Sequence, residues 1–274
     1  MKKTLIIFIA LANFFNVCFS QKTEREIIDE CIYAVSYNLT YQKDTSDIYS
    51  ICTESMILFV GNETSLFCSL NDFQNMENQN ISSISFGNER PLEIRDKGVK
   101  PSIFQYRIYK NYPKGYITYT DFVPLSFYKY EEPLDAIEWD IKEDKRKIFG
   151  FAVQRAVAKY GGRIWEAWFA TNLPINDGPY KFSGLPGLIL KIQDSEKHYV
   201  FELEEVGRCD EPIPIKIAKL NYINTNRKTF HDIKKNYTQN IHEQLINLGV
   251  VMDDPEPLKA ASKTDNNFLE LKYD

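Results

Sequence analysis

Residues 178–190 read Gly-Pro-Tyr-Lys-Phe-Ser-Gly-Leu-Pro-Gly-Leu-Ile-Leu, a stretch whose residues restrict the backbone heavily. Glycine opens dihedrals that side chains block. Proline fixes its own φ and pushes the residue before it toward extended backbone. Interleaved with Phe182, Leu185, Leu188 and Ile189, they predict a shaped apolar loop that feeds a strand. Asp177, just ahead of Gly178, suits a turn cap. Gly184 to Gly187 is not a phosphate cradle, because no Lys-Ser/Thr follows and a strand rather than a helix comes next.

Alternation of period two dominates the rest of the chain. Strands are expected over Ile32–Tyr41, in a hairpin over Met56–Ser69 around Gly61-Asn62, in a second over Ile103–Tyr119 around Asn111–Gly115, and over Val123–Tyr130 and Ile137–Ile141. Ile148–Tyr160 and Arg163–Ala170 flank Gly161-Gly162 as a further hairpin, with a helix over 151–160 as the second reading. Leu188–Asp194 and His198–Glu204 make one more, and Pro212 and Pro214 mark the end of that sheet pattern. Residues 22–30 have a short helical look, and 71–81 fit either a helix or a loop. From Asn226 to Leu248, apolar residues at Phe230, Ile233, Tyr237, Ile241, Leu245 and Leu248 predict one helix, capped by Asn226 or Thr229 and ended by Gly249. The acidic tail over 251–274 is expected to be loose, although Phe268, Leu269 and Leu271 offer docking side chains. Antiparallel hairpins without a strand–helix–strand rhythm predict a mainly β fold: a single curved, partly closed, half-barrel-like sheet with one packed C-terminal helix, in one domain over 21–250. Its 17 tyrosines and 18 phenylalanines suit wide sheet faces.

The first residues change the context. Lys2 and Lys3, an apolar run from Leu5 to Phe15 and a small residue at Ser20 form the layout of a secretory signal peptide, cut before Gln21. The run is too short for a membrane span, and no second one follows. Two other readings remain: a buried N-terminal helix, and a lipid anchor at Cys18, whose preceding Phe15-Asn16-Val17 is a poor lipidation site. The net charge of −5 becomes more negative without Lys2 and Lys3, which disfavours nucleic-acid binding. Export permits disulfides among Cys31, Cys52, Cys68 and Cys209; three pairings exist, and Cys52 with Cys68 is the most local. Free buried cysteines are the plainer alternative. Neither a zinc spacing nor a cofactor motif is present, so no metal or cofactor is expected. His231 and His242 are too far apart for a joint H-x-x-x-H site.

Within the constrained stretch, Gly184-Leu185-Pro186-Gly187-Leu188-Ile189 matches the signature that names the GLPGLI family. The resemblance extends through Gly150, Gln154, Ala156, Gly162, Arg163, Ala167, Trp168, Leu173, Pro174, Ile175, Gly178, Pro179 and Phe182, and more weakly over 30–245. It implies an exported protein of Bacteroidota with no assigned activity, of the periplasm or the inner face of the outer membrane. It also implies a periplasmic or outer-membrane partner such as a TonB-dependent receptor. Val153 stands where many members carry a cysteine, so their disulfide scheme does not carry over.

Two functional classes follow. In the first, the aromatic sheet face and the 178–190 loop form a non-catalytic binding or assembly module, with Arg163, Trp168 and the loop residues Gly178, Pro179, Phe182, Gly184, Leu185, Pro186, Gly187, Leu188 and Ile189 as its binding or structural set. A rigid turn that merely packs Leu185 on the core is the plain alternative for the loop. Arg163 shares a strand face with Trp165, which allows a cation–π contact, and a structural ion pair is its other role. In the second class the chain is an envelope hydrolase using Ser183 with His198, or carboxylates from Glu166, Asp177, Glu202 and Glu204. Ser183 lacks a GxSxG setting. A purely structural subunit is the third reading.

Overall fold

The computed structural model describes residues 24–77, 85–86, 90–91, 102–247 and 256–273. The signal-peptide reading, residues 78–84 and the Leu248–Gly249 helix end lie outside them. The chain first runs through β1 (Arg25–Gln42), β2 (Ile51–Val60), β3 (Ser65–Ser69), α1 (Leu70–Glu77), β4 (Ser85–Phe86) and β5 (Arg90–Pro91). Next come β6 (Arg107–Lys110), β7 (Tyr116–Val123), β8 (Ser126–Pro133), β9 (Asp140–Ile148), β10 (Phe151–Tyr160) and β11 (Arg163–Ala170). The last elements are β12 (Leu188–Asp194), β13 (Tyr199–Ala218), β14 (Tyr222–Asn224), α2 (Arg227–Gln239), α3 (Ile241–Asn247) and α4 (Glu256–Lys263).

Alternating side chains sort the core onto two faces. Val35, Tyr37, Leu39 and Tyr41 of β1 join Met56, Leu58 and Phe67 on one face. Ala34, Ile57, Phe59, Leu66 and Cys68 line the other, which α1 covers with Leu70 and Phe73. The larger face receives the β11–β12 loop through Ile175, Tyr180, Phe182 and Leu185, and α2 through Phe230.

Among the described residues, twelve strands form one sheet in the order β14-β8-β7-β6-β3-β2-β1-β13-β12-β11-β10-β9, and β4 pairs with β5 in a separate two-stranded sheet. The mainly β expectation stands, but the curved, partly closed half-barrel is corrected: the sheet is open, with β14 and β9 as separate ends. The ends explain this. β14 is only three residues long, and β9 carries Lys142, Glu143, Asp144, Lys145, Arg146 and Lys147 along a largely exposed edge, charges that oppose strand addition. The single C-terminal helix is also corrected, because Asn240 interrupts it and separates α2 from α3, with α4 following.

Local differences have local causes. Residues 25–30 belong to β1 rather than a helix, because they pair with Pro214–Ala218. The prolines do not end β13, since Pro214 lies opposite Glu30 beside a register break between Cys31 and Tyr33; a bulge is where a sheet tolerates a missing N–H. The expected strand at 137–141 begins instead at Asp140. Phe151–Tyr160 is strand, not helix, and pairs with both β9 and β11.

The most local cysteine pair is corrected as well. Cys68 lies opposite Ile57, and Cys52 packs against the other face of the sheet, so neither reach nor direction allows a bridge. The sulfurs of Cys31 and Cys209 instead sit 2.8 Å apart at the β1–β13 bulge. A mild disulfide oxidant is expected to link Cys31 to Cys209 and to raise stability by about 2–4 kcal/mol. Peptide mapping without reduction checks this, and a Cys52–Cys68 peptide would contradict it.

Candidate functional site

The β11–β12 loop is held by its own backbone and by β6. Phe182 N donates to Pro179 O at 3.1 Å, and Ile189 N to Asp177 O at 3.0 Å. Lys110, only 2% exposed, donates its ammonium to the Asp177 carboxylate and to Gly178 O at 2.6 Å. Burial pulls the Lys110 pKa down, and Asp177 partly restores it. Gly187 has φ of +153°, and a Cβ there would meet Ala170 O at 2.2 Å; the close approach of two backbones dictates glycine.

That turn places Tyr180 and Lys181 together against the sheet. Lys181 is fully buried and donates to Glu132 at 2.6 Å, Glu270 at 2.8 Å and the Tyr130 hydroxyl at 2.8 Å. Tyr180 OH also donates to Glu270. From α2, Arg227 and His231 sit four residues apart and so share a face. Arg227 Nε donates to Glu270 Oε2 at 2.6 Å, and His231 Nε2 lies 3.5 Å from the same oxygen. Asn226 caps the helix by accepting from Thr229 N at 2.8 Å. Phe230 anchors it among Tyr119, Tyr128 and Tyr130. Tyr160 OH, from β10, donates to Glu132 at 3.3 Å.

Glu270 belongs to the C-terminal segment. Residues 264–273 therefore differ from the loose tail expected over 251–274: the segment is docked, with Glu270 1% and Asn267 4% exposed. Arg163, 5% exposed, grips the same segment. Its Nη2 donates to Asn267 Oδ1 and Phe268 O, both at 2.6 Å, and its Nε to Leu269 O at 3.0 Å. Nη1 pairs with Asp194 at 2.8 Å. Leu271 N and Lys272 N donate to Gly161 O at 2.7 and 3.2 Å. Tyr273 stacks on His231 with ring centroids 4.7 Å apart.

Burial alone would raise the Glu270 pKa; Lys181, His231 and Arg227 outweigh it and bring the carboxyl down to about 2. Burial is also the chief cause holding His231 down at about 3, so it is neutral at physiological pH. Both groups bind protons more weakly folded than unfolded. Stability should fall as pH drops through the ordinary histidine value of 6.5, most steeply between the ordinary 4.5 of Glu270 and about 3, where both groups contribute, and on down to about 2 through Glu270 alone. Urea midpoints at stepped pH check this, and Glu270→Gln should remove the steeper part.

The residues singled out from sequence divide between these networks and the core. Phe182, Leu185, Leu188 and Ile189 are core side chains at 0–1% exposure; Gly178, Pro179 and Gly187 are also buried, and only Gly184 and Pro186 are exposed. Arg163 lies over Tyr199, at 5.1 Å, rather than Trp165. Trp168 is buried under Arg146, at 3.7 Å, and donates to Glu166 at 3.0 Å. Ser183 and His198 fall in different surroundings: Ser183 O accepts from Trp139 at 2.8 Å, and His198 Nδ1 lies 3.5 Å from Arg163 Nη1. Glu202 pairs with Lys191 at 2.7 Å. His231, whose side chain is only 12% exposed, joins the Glu270 network.

Sequence reasoning missed Lys181, Glu132, Arg227 and Glu270. A signal existed, since Lys181 is the one charge in 178–190 and Glu270 stands between Leu269 and Leu271. Among the described residues, no group of three or more histidine, cysteine, aspartate or glutamate side chains could hold a metal ion. One cavity of ≈ 140 Å³ lies between β7 and α2 at Asp121, Val123, Lys234 and Tyr237. It is smaller than the several hundred Å³ a small-molecule site takes.

Residues 162–191 match the model of a family described as "Protein of unknown function (Porph_ging)". Over this span, from Gly162 through the loop to Lys191, the chain is similar to that family. Curated proteins yield no match. Two solved structures, described as PNGF-II in the P21 and C2 space groups, are similar at 16% and 15% identity, each with a TM-score of 0.49. The matches cover 74% of this chain, which spans about a third of their length, 33% and 32%. No helix among the described residues is long and apolar enough to cross a membrane.

Proposed function

We propose that this chain is a non-catalytic binding or assembly module of the cell envelope, exported to the periplasm or the inner face of the outer membrane. The finer placement with the GLPGLI signature at Gly184–Ile189, and a partner such as a TonB-dependent receptor, belong to the same proposal. One observation carries it. The sheet face holds an irregular polypeptide segment through directed side-chain donors: Arg163 reaches oxygens of three successive residues, and Lys181 and Arg227 reach a carboxylate. Charge-assisted bonds of that kind confer recognition. The hydrolase alternative draws no comparable support, since Ser183 and His198 lie in separate networks.

The test is crosslinking in envelope fractions followed by pull-down of the tagged chain and mass spectrometry. Specific recovery of a periplasmic or outer-membrane protein is expected. Recovery of none, with the chain found in the cytosol, would contradict the proposal.

A further inference from the structure

We infer that the cleft between Arg163 and Lys181 is a recognition site for a peptide segment carrying asparagine and, three residues on, glutamate. The chain's own residues 266–271 are its resident occupant. The inference rests on the binding-module reading and names the partner's chemistry: a protein segment with that pattern displaces the tethered one.

The docked segment has the polarity of a ligand. A segment that belongs to a core buries its apolar side chains. Here Leu271 is 50% exposed and Phe268 and Leu269 are only partly covered, while the polar Asn267 and Glu270 are buried. The segment is therefore held chiefly by its amide, carbonyl and carboxylate groups, as a ligand is, with Leu269 packed on the core beside them.

The asparagine and the glutamate are also read completely. The Asn267 amide is bracketed, its Oδ1 accepting from Arg163 at 2.6 Å and its Nδ2 donating to Gln42 O at 2.7 Å. Its carbonyl accepts from Tyr199 OH. Both Glu270 oxygens are taken, Oε1 by Tyr180 and Lys181 and Oε2 by Arg227. The intervening Phe268 and Leu269 are read through their carbonyls, and Leu269 also packs on the core, so the side chain of Phe268 is the one with more room to vary between occupants.

One donor of the site is left unbonded. Arg227 Nη2 is buried without a hydrogen-bond partner among the described residues. A competing segment that supplies an acceptor there gains a bond the resident lacks. It must also overcome tethering, which gives a linked segment a high effective concentration.

A fluorescent peptide of residues 264–274 and the full chain test this by anisotropy. The peptide should bind the Glu270→Gln chain at least about tenfold more tightly than the wild-type chain, whose own segment competes. The same peptide with glutamine in place of its glutamate should bind at least about tenfold more weakly. A folded Glu270→Gln chain that binds neither peptide overturns the inference.

If Glu270→Gln does not fold, hydrogen exchange on the wild type decides. Asn266, Asn267, Leu271 and Lys272 amides should exchange through an opening that leaves β1 and β13 protected. Exchange only in step with those strands makes the segment a core element and overturns the inference. An envelope partner whose recovery is unaffected by excess peptide also overturns it, while leaving the binding-module reading in place. Peptide binding without any envelope partner supports the cleft and removes that broader reading.

Discussion

Lys181→Met should destabilise the fold by about 3–5 kcal/mol, the cost of breaking a buried ion pair from one side. The side chain is wholly buried, and its ammonium is shared by Glu132 and Glu270. Methionine keeps the length of the stem and removes the charge, so little is lost in packing. Two carboxylates then depend on Arg227, whose Nε lies 2.6 Å from Glu270 but 3.6 Å from Glu132. Tyr130 loses its donor as well. The loss should come with faster proteolysis of the C-terminal segment, because Glu270 is its deepest anchor. Urea denaturation measures the first effect and limited proteolysis the second. A variant within about 1 kcal/mol of wild type would mean that the ammonium is not needed there.

Gly187→Val should cost still more, at least about 4–5 kcal/mol, in the range reserved for clashes that nothing can relieve. The new Cβ would stand 2.2 Å from Ala170 O and 2.7 Å from its carbonyl carbon, both backbone atoms of β11. No rotamer relieves contact with backbone, so β11 and the loop must separate. Gly184 supplies the internal control. Its φ is +85°, yet a Cβ there meets nothing within 4 Å. Gly184→Ala should therefore cost only about 1–2 kcal/mol, the strain of a left-handed alanine. The two glycines look equivalent in the sequence, and their tenancies differ. Thermal unfolding of both variants checks the contrast; equal losses would refute the clash account.

Much of the sheet was legible because alternation reports a half-buried strand directly. The hairpins around Gly61-Asn62, Asn111–Gly115 and Gly161-Gly162 all form. Where the pattern misled, distant pairing was decisive. Residues 25–30 have no strong strand pattern and are strand because β13 lies alongside. Pro214 reads as a terminator, but a bulge opposite Glu30 absorbs it. Openness was not legible either, since closure depends on whether β14 and β9 can meet, a property of the ends rather than of any window.

The site was half legible. Arg163 and the glycine–proline loop announced themselves by residue type, yet the loop residues singled out are mostly core. Lys181 and Glu270 are 89 positions apart, and nothing in the periodicity of either neighbourhood joins them. A lone charge inside an apolar run is the one local hint that a buried partner exists elsewhere, because an unpaired buried charge is prohibitively costly.

The central claim is that the shaped loop offers a buried cation to the carboxylate of the C-terminal segment. A double-mutant cycle on Lys181→Met and Glu270→Gln, read by urea denaturation, tests it most directly. A coupling of about 2 kcal/mol or more is expected, with the double variant losing clearly less than the two single losses combined. Additivity within about 0.5 kcal/mol would contradict it.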